Sequence, residues 1–125
     1  MRDVFSSVVI NDSWSFKNLK RSDTGYITHG YHRYPAKFIP QIVSRLVERY
    51  TKVGDLIVDP FGGCGTTLVE SKVMGRLSVG VDINPVAVLI TKAKITPIDP
   101  ERIEKVFTIL KGKLDTYDKD TKIKT

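Results

Sequence analysis

The chain has 125 residues, enough for one small domain around a single core, and no apolar run approaches the roughly 20 residues that a membrane helix needs. Its formal charge of +6 and sequence pI near 9.5 suit a polyanionic partner; Met1-Arg2-Asp3-Val4-Phe5 lacks the apolar core of a secretory signal, so a cytoplasmic location is expected. A single cysteine, Cys64, excludes an internal disulfide, and with only His29 and His32 as histidines no metal site is expected.

Val4 to Ile10 is β-branched and apolar, as in a strand. Trp14 to His32 mixes aromatic and basic residues with Gly25 and Gly30 in no clear period, which predicts an irregular arm with room for a short strand. Pro40 suits a first helical turn, and Ile42, Val43, Leu46, Val47 and Tyr50 then recur on one face. Leu56-Ile57-Val58, entered through Gly54-Asp55 and closed by Asp59-Pro60, predicts a strand buried on both faces and central to its sheet.

The turn Gly62-Gly63-Cys64-Gly65 leads into a helix from Thr66 to Met74, ended by Gly75 in a left-handed conformation. A second strand, Leu77 to Asp82, follows through a short crossover, and such units are parallel and right-handed. Asn84-Pro85 starts a helix that reaches Lys94, with asparagine as its cap. Asp99-Pro100 repeats that signal ahead of Ile103, Val106, Phe107, Leu110 and Leu114 at helical spacing. The expected organisation is α/β: an irregular arm over residues 1–32, a domain with a short parallel sheet flanked by helices over residues 33–114, and a charged tail over residues 115–125.

Strand, glycine turn, helix, strand and terminal acid form a frame in which nucleotide-like ligands bind. A phosphate-gripping loop needs Lys and then Ser or Thr after its last glycine, whereas Gly65 is followed by Thr66-Thr67; the dinucleotide pattern needs a glycine or alanine where Leu68 stands. Asp59 at the mouth of the turn repels a pyrophosphate and favours a cation. S-adenosyl-L-methionine, with its sulfonium and α-ammonium, meets that requirement. Its carboxylate suits the N-terminus of the helix at Thr66 and Thr67, and Asp82 at the end of the second strand suits the ribose hydroxyls. A plain tight turn for the glycines, and a helix cap for Asp82, are the competing readings.

Asp59-Pro60-Phe61-Gly62-Gly63-Cys64-Gly65-Thr66-Thr67 resembles the first motif of the DNA amino-methyltransferases, which methylate the exocyclic amine of adenine (N6) or cytosine (N4); Cys64 stands where a serine is usual. His32-Arg33-Tyr34-Pro35-Ala36-Lys37-Phe38-Ile39-Pro40 is similar to a further cofactor motif of that family, and Gly80-Val81-Asp82-Ile83-Asn84-Pro85-Val86-Ala87 to its second motif. The resemblance implies a partial Rossmann-like methyltransferase fold. It places Lys37 and Phe38 beside the methionine end, Phe61 and Ile83 near the adenine, and Pro60 and Asn84 in the motifs that frame the ligand.

The family's catalytic motif, a Ser, Asp or Asn followed by Pro-Pro and an aromatic, does not occur in this sequence; Asn84-Pro85 and Asp59-Pro60 both lack the second proline. An exocyclic amine is a poor nucleophile, and acceptors must aim it at the methyl while the flipped base stacks on an aromatic. No catalytic residue is therefore assigned, and the catalytic half is expected to be lacking here. In the implied fold the strand of Leu56 to Val58 lies next to the strand with that motif, which could follow residue 125 in a longer relative or belong to a separate chain; a second protein chain carrying it, or self-association through the open sheet edge, is expected. DNA is the expected partner, with Lys17, Lys20, Arg21 and Arg33 as candidate phosphate contacts. A non-catalytic cofactor- or DNA-binding module and a fragment of an RNA methyltransferase are the alternatives.

Overall fold

A computed structural model describes residue 9 and residues 11–120, with side chains through residue 116. The strand expected over Val4 to Ile10 falls outside the described residues, Val9 excepted. The described residues divide into two compact units between Ile95 and Thr96.

In the first unit the arm contains a 3-10 turn, Asp12–Trp14, and a short helix α1, Arg21–Thr24, with no strand among its described residues. It is fastened by side chains rather than by a ladder: the Arg45 guanidinium lies 4.7 Å from the centre of the Trp14 ring, and Gln41 Nε2 donates to the Asp23 carbonyl. Arg45 and Gln41 belong to α2, Pro40–Tyr50, which starts at its proline as the sequence predicts and buries Val43 and Val47.

β1, Leu56–Asp59, is followed by the glycine loop, by α3, Thr66–Val73, and by β2, Leu77–Gly80. The two strands pair in parallel with Leu56 opposite Leu77 and Asp59 opposite Gly80. β2 stops at Gly80, two residues short of the sequence expectation, because the Val81 amide and carbonyl bond to Asp59 and Gly62 and turn the chain over the loop. Helix α4, Pro85–Ile95, completes the unit. α3 packs on the sheet closely enough that a Cβ on Gly80 would lie 2.7 Å from Leu68 Cδ1.

The expectation that β1 is central and covered on both faces does not hold among the described residues. The sheet has two strands, so each has an open edge, and Leu56 and Val58 are 60% and 61% exposed. Strand periodicity puts Leu56, Val58, Leu77 and Val79 on one face, away from α3, and all four are exposed.

The second unit contains α5, Pro100–Asp120, whose first turn is capped by Asp99 Oδ1 accepting from the Glu101 amide. It continues past Leu114 into the segment expected as a charged tail, of which residues 121–125 lie outside the described residues.

Gly65 caps α3 with φ of +80°, and a Cβ there would lie 2.6 Å from Thr91 Cγ2. Gly54 has φ of +90° with no heavy atom within 4 Å of such a Cβ. Gly54→Ala should therefore cost only a left-handed penalty of about 1 kcal/mol. Gly65→Ala adds overpacking against a β-branched neighbour, for about 3 kcal/mol in total. Urea denaturation of the two variants side by side checks this difference.

Candidate functional site

The glycine loop uses its own amides. Asp59 Oδ1 accepts from the Phe61 amide at 3.0 Å, the Val81 carbonyl from Gly62 at 2.9 Å, and the Gly62 carbonyl from Gly65 at 2.8 Å. Asp82, where the chain leaves β2, reaches across: Oδ2 accepts from the Gly63 amide at 2.7 Å and Oδ1 from the Asn84 amide at 2.8 Å. Both are charge-assisted bonds, stronger than neutral ones. Asn84 in turn caps α4, its Oδ1 accepting from the Val86 amide at 3.0 Å. Asp82 is thus a brace for the loop, an arrangement that the ribose role does not require and the N-cap alternative does not describe.

The loop's carbonyls are held from below by α4. Thr91 Oγ1 donates to the Gly63 carbonyl at 3.1 Å, and the buried Lys94 ammonium donates to the Cys64 carbonyl at 3.0 Å. These residues, one helical turn apart, share a face.

Most of the candidate residues converge. A cleft of about 80 Å³ is lined by Lys37, Phe38, Asp59, Phe61, Thr66 and Thr67, with Gly62, Gly63 and Tyr34 also in its wall. On the other side of the loop a cavity of about 290 Å³ is lined by Gly62, Gly63, Leu68, Asp82, Val88 and Thr91 among others. Gly65 is buried, while Pro60, Ile83 and Asn84 are exposed. Phe61 is 88% and Ile83 fully exposed, so two large apolar side chains stand in solvent beside the loop. Around the small cleft a carboxylate, an ammonium and two hydroxyls are available at once, a donor and acceptor set suited to a zwitterion.

Lys37 is fixed at its far side, its Nζ donating to the His29 carbonyl at 2.7 Å. His29 is fully buried and sets Nε2 2.7 Å from Glu70 Oε1. The Tyr26 hydroxyl donates to the same oxygen at 2.7 Å. His29 Nδ1 has no partner among the described residues. Glu70 is therefore the point where α3 grips the arm. Its partners lie more than 40 positions upstream, and nothing local marks it. The i, i+3 pair of Thr91 and Lys94 was available as a signal only once their helix faced the loop. Lys17 and Lys20 are exposed, and Lys17 pairs with Asp12 at 3.8 Å; Arg21 and Arg33 lie elsewhere, on a second cleft.

Among the described residues no group of three or more His, Cys, Asp or Glu could hold a metal ion, and no helix is long and apolar enough to cross a membrane.

A family model described as DNA methylase matches residues 3–93. The chain is 38% identical over 106 residues to Type II methyltransferase M.MjaII of Methanocaldococcus jannaschii, covering 85% of this chain and 20% of that protein. It is also 38% identical over 104 residues to Type II methyltransferase M.MvaI of Kocuria varians, covering 81% of this chain and 23% of the relative. The chain thus spans about a fifth of the length of these relatives. Among solved structures, PvuII DNA methyltransferase (cytosine-N4-specific) aligns with a TM-score of 0.50 and 25% identity over 63% of this chain and 29% of that one.

Glu70→Ala would leave a buried imidazole and a phenol without their shared acceptor, and is expected to cost about 3 kcal/mol in denaturant unfolding; Glu70→Gln, which keeps an acceptor oxygen, should cost clearly less. Burial first, and then the hydrogen bond to Glu70, raise the Tyr26 phenol above its usual value of 10.0. The unfolded phenol loses its proton above that pH while the folded one keeps it, so this contribution to stability is complete below pH 10.0 and lost as pH rises further. Tyr26→Phe should flatten the alkaline limb of the stability profile.

Proposed function

The chain belongs to the DNA amino-methyltransferase family, DNA methylases that depend on S-adenosylmethionine, and on that footing we propose that these residues form the cofactor-binding part of such an enzyme. The observation that carries this reading is the loop with its amides of Phe61, Gly62, Gly63 and Gly65 turned inward, while Asp59, Lys37, Thr66 and Thr67 line the cleft beside it. A phosphate site works the other way, presenting free amides to an anion.

When bound, S-adenosylmethionine supplies an activated methyl group for an exocyclic amine of DNA, on cytosine N4 or adenine N6. Asp59 would face the cationic methionine end, and Lys37 and the start of α3 its carboxylate. Phe61 and Ile83, exposed beside the loop, offer apolar surface to the adenine, and Asp82 the acceptor for the ribose. Asp82 can serve the ribose and the loop together, since an ionised carboxylate has about four acceptor sites.

Aiming the target amine falls to a Pro-Pro-aromatic motif outside these 125 residues, on a strand that would also complete the sheet, whether it follows in the same polypeptide or comes from a second chain. The open edge of β1 and the exposed face of Leu56, Val58, Leu77 and Val79 support this reading.

By calorimetry the chain should bind S-adenosylmethionine or its demethylated product and not a nicotinamide dinucleotide. Asp82→Ala should weaken that binding by about 1.5–3 kcal/mol, the range for a lost charged acceptor. Unchanged affinity would remove the ribose role.

Alone at high micromolar concentration, the chain should self-associate in light scattering, and its Leu56 to Val58 amides should exchange quickly with solvent. A stable monomer with slow exchange there would show that no partner strand is needed.

A further inference from the structure

The arm carries a second cleft, of about 470 Å³, lined by Arg21, Thr24, His29, His32, Arg33 and Lys37 among others. No carboxylate is among its lining residues. The acids closest in the chain or the network are engaged elsewhere: Asp23 accepts from the Lys20 amide at 2.8 Å, and Glu70 is taken by Tyr26 and His29. Neither Arg21 nor Arg33 makes an ion pair among the described residues. Two guanidinium groups and an ammonium around one concavity, with no carboxylate in its lining, focus a positive potential into it.

Tyr34 and Lys37 line both this cleft and the one beside the glycine loop. The two sites therefore share a wall, and an anion in the basic cleft sits next to whatever occupies the loop. The cleft has the volume of a ligand site rather than of a single carboxylate. The planar fork of arginine matches phosphate oxygens.

Resting on the functional reading above, we infer that this basic cleft seats the sugar–phosphate backbone of the DNA substrate, with Arg21 and Arg33 on its phosphates. Tyr34 and Lys37 then form the partition between nucleic acid and cofactor. The candidate phosphate contacts separate accordingly: Arg21 and Arg33 act at a formed site, whereas Lys17 and Lys20 add only diffuse charge.

The test measures binding of a fluorescent duplex to the full chain by anisotropy over a range of salt, with calorimetric cofactor binding on the same samples. Each phosphate contact contributes about 0.9 to the slope of log affinity against log salt. Arg21→Gln with Arg33→Gln should lower the slope by about 1.8 and leave cofactor affinity within two-fold. The Lys pair Arg21→Lys with Arg33→Lys should keep the slope, and Lys17→Gln with Lys20→Gln should change it by less than half as much. An unchanged slope in the glutamine variant overturns the inference. So does a loss confined to cofactor affinity, which would make the cleft part of the cofactor's own carboxylate site. A wild-type chain that binds cofactor but not DNA overturns the inference and leaves the cofactor reading standing; a chain that binds neither brings down both.

Discussion

The Asp82 carboxylate ties the glycine loop to both β2 and α4. It stands just beyond the end of one strand and bonds an amide in the loop that follows the other, so the turn at Gly63 cannot move without β2. Its second oxygen fixes the Asn84 amide and with it the start of α4, which then returns Thr91 and Lys94 to the loop carbonyls. One side chain thereby closes a circuit through strand, loop and helix. The close approach of Thr91 at Gly65 is what that circuit imposes on the backbone. A burial of Lys94 that would otherwise be costly is tolerable because its ammonium has a carbonyl to meet.

The arm is joined to this circuit by a different device. Glu70 rises from α3 to take both Tyr26 and His29, and the His29 carbonyl holds Lys37 in the wall between the two clefts. A helix that begins in the glycine loop therefore also positions the far wall of the site. This explains how a segment with no strand among its described residues presents a defined surface: its order comes from a few buried polar contacts and from the stacking of Arg45 on Trp14.

The legible parts of the fold are those written locally. Pro40, Pro85 and Pro100 open helices because proline at a first turn gives up nothing, and Gly75 ends α3 with φ of +74° because a left-handed residue is required there. The residues of the glycine turn line one cleft with Lys37 and Phe38. Burial, by contrast, is a property of neighbours. Leu56-Ile57-Val58 has the composition of a doubly covered strand, and only the layer on one side is among the described residues. Glu70 was illegible for the converse reason, since an acid in a short helix looks solvated until the arm is folded over it.

The inward-turned amides of the loop have a consequence for life inside a cell. Nucleoside polyphosphates compete for any loop between strand and helix that shows them free N–H groups. Here those of Phe61, Gly62, Gly63 and Gly65 are already spoken for, and a carboxylate guards the entrance. Those four amides are therefore not free to hold a phosphate, and an anion approaching this loop has the start of α3 to meet instead.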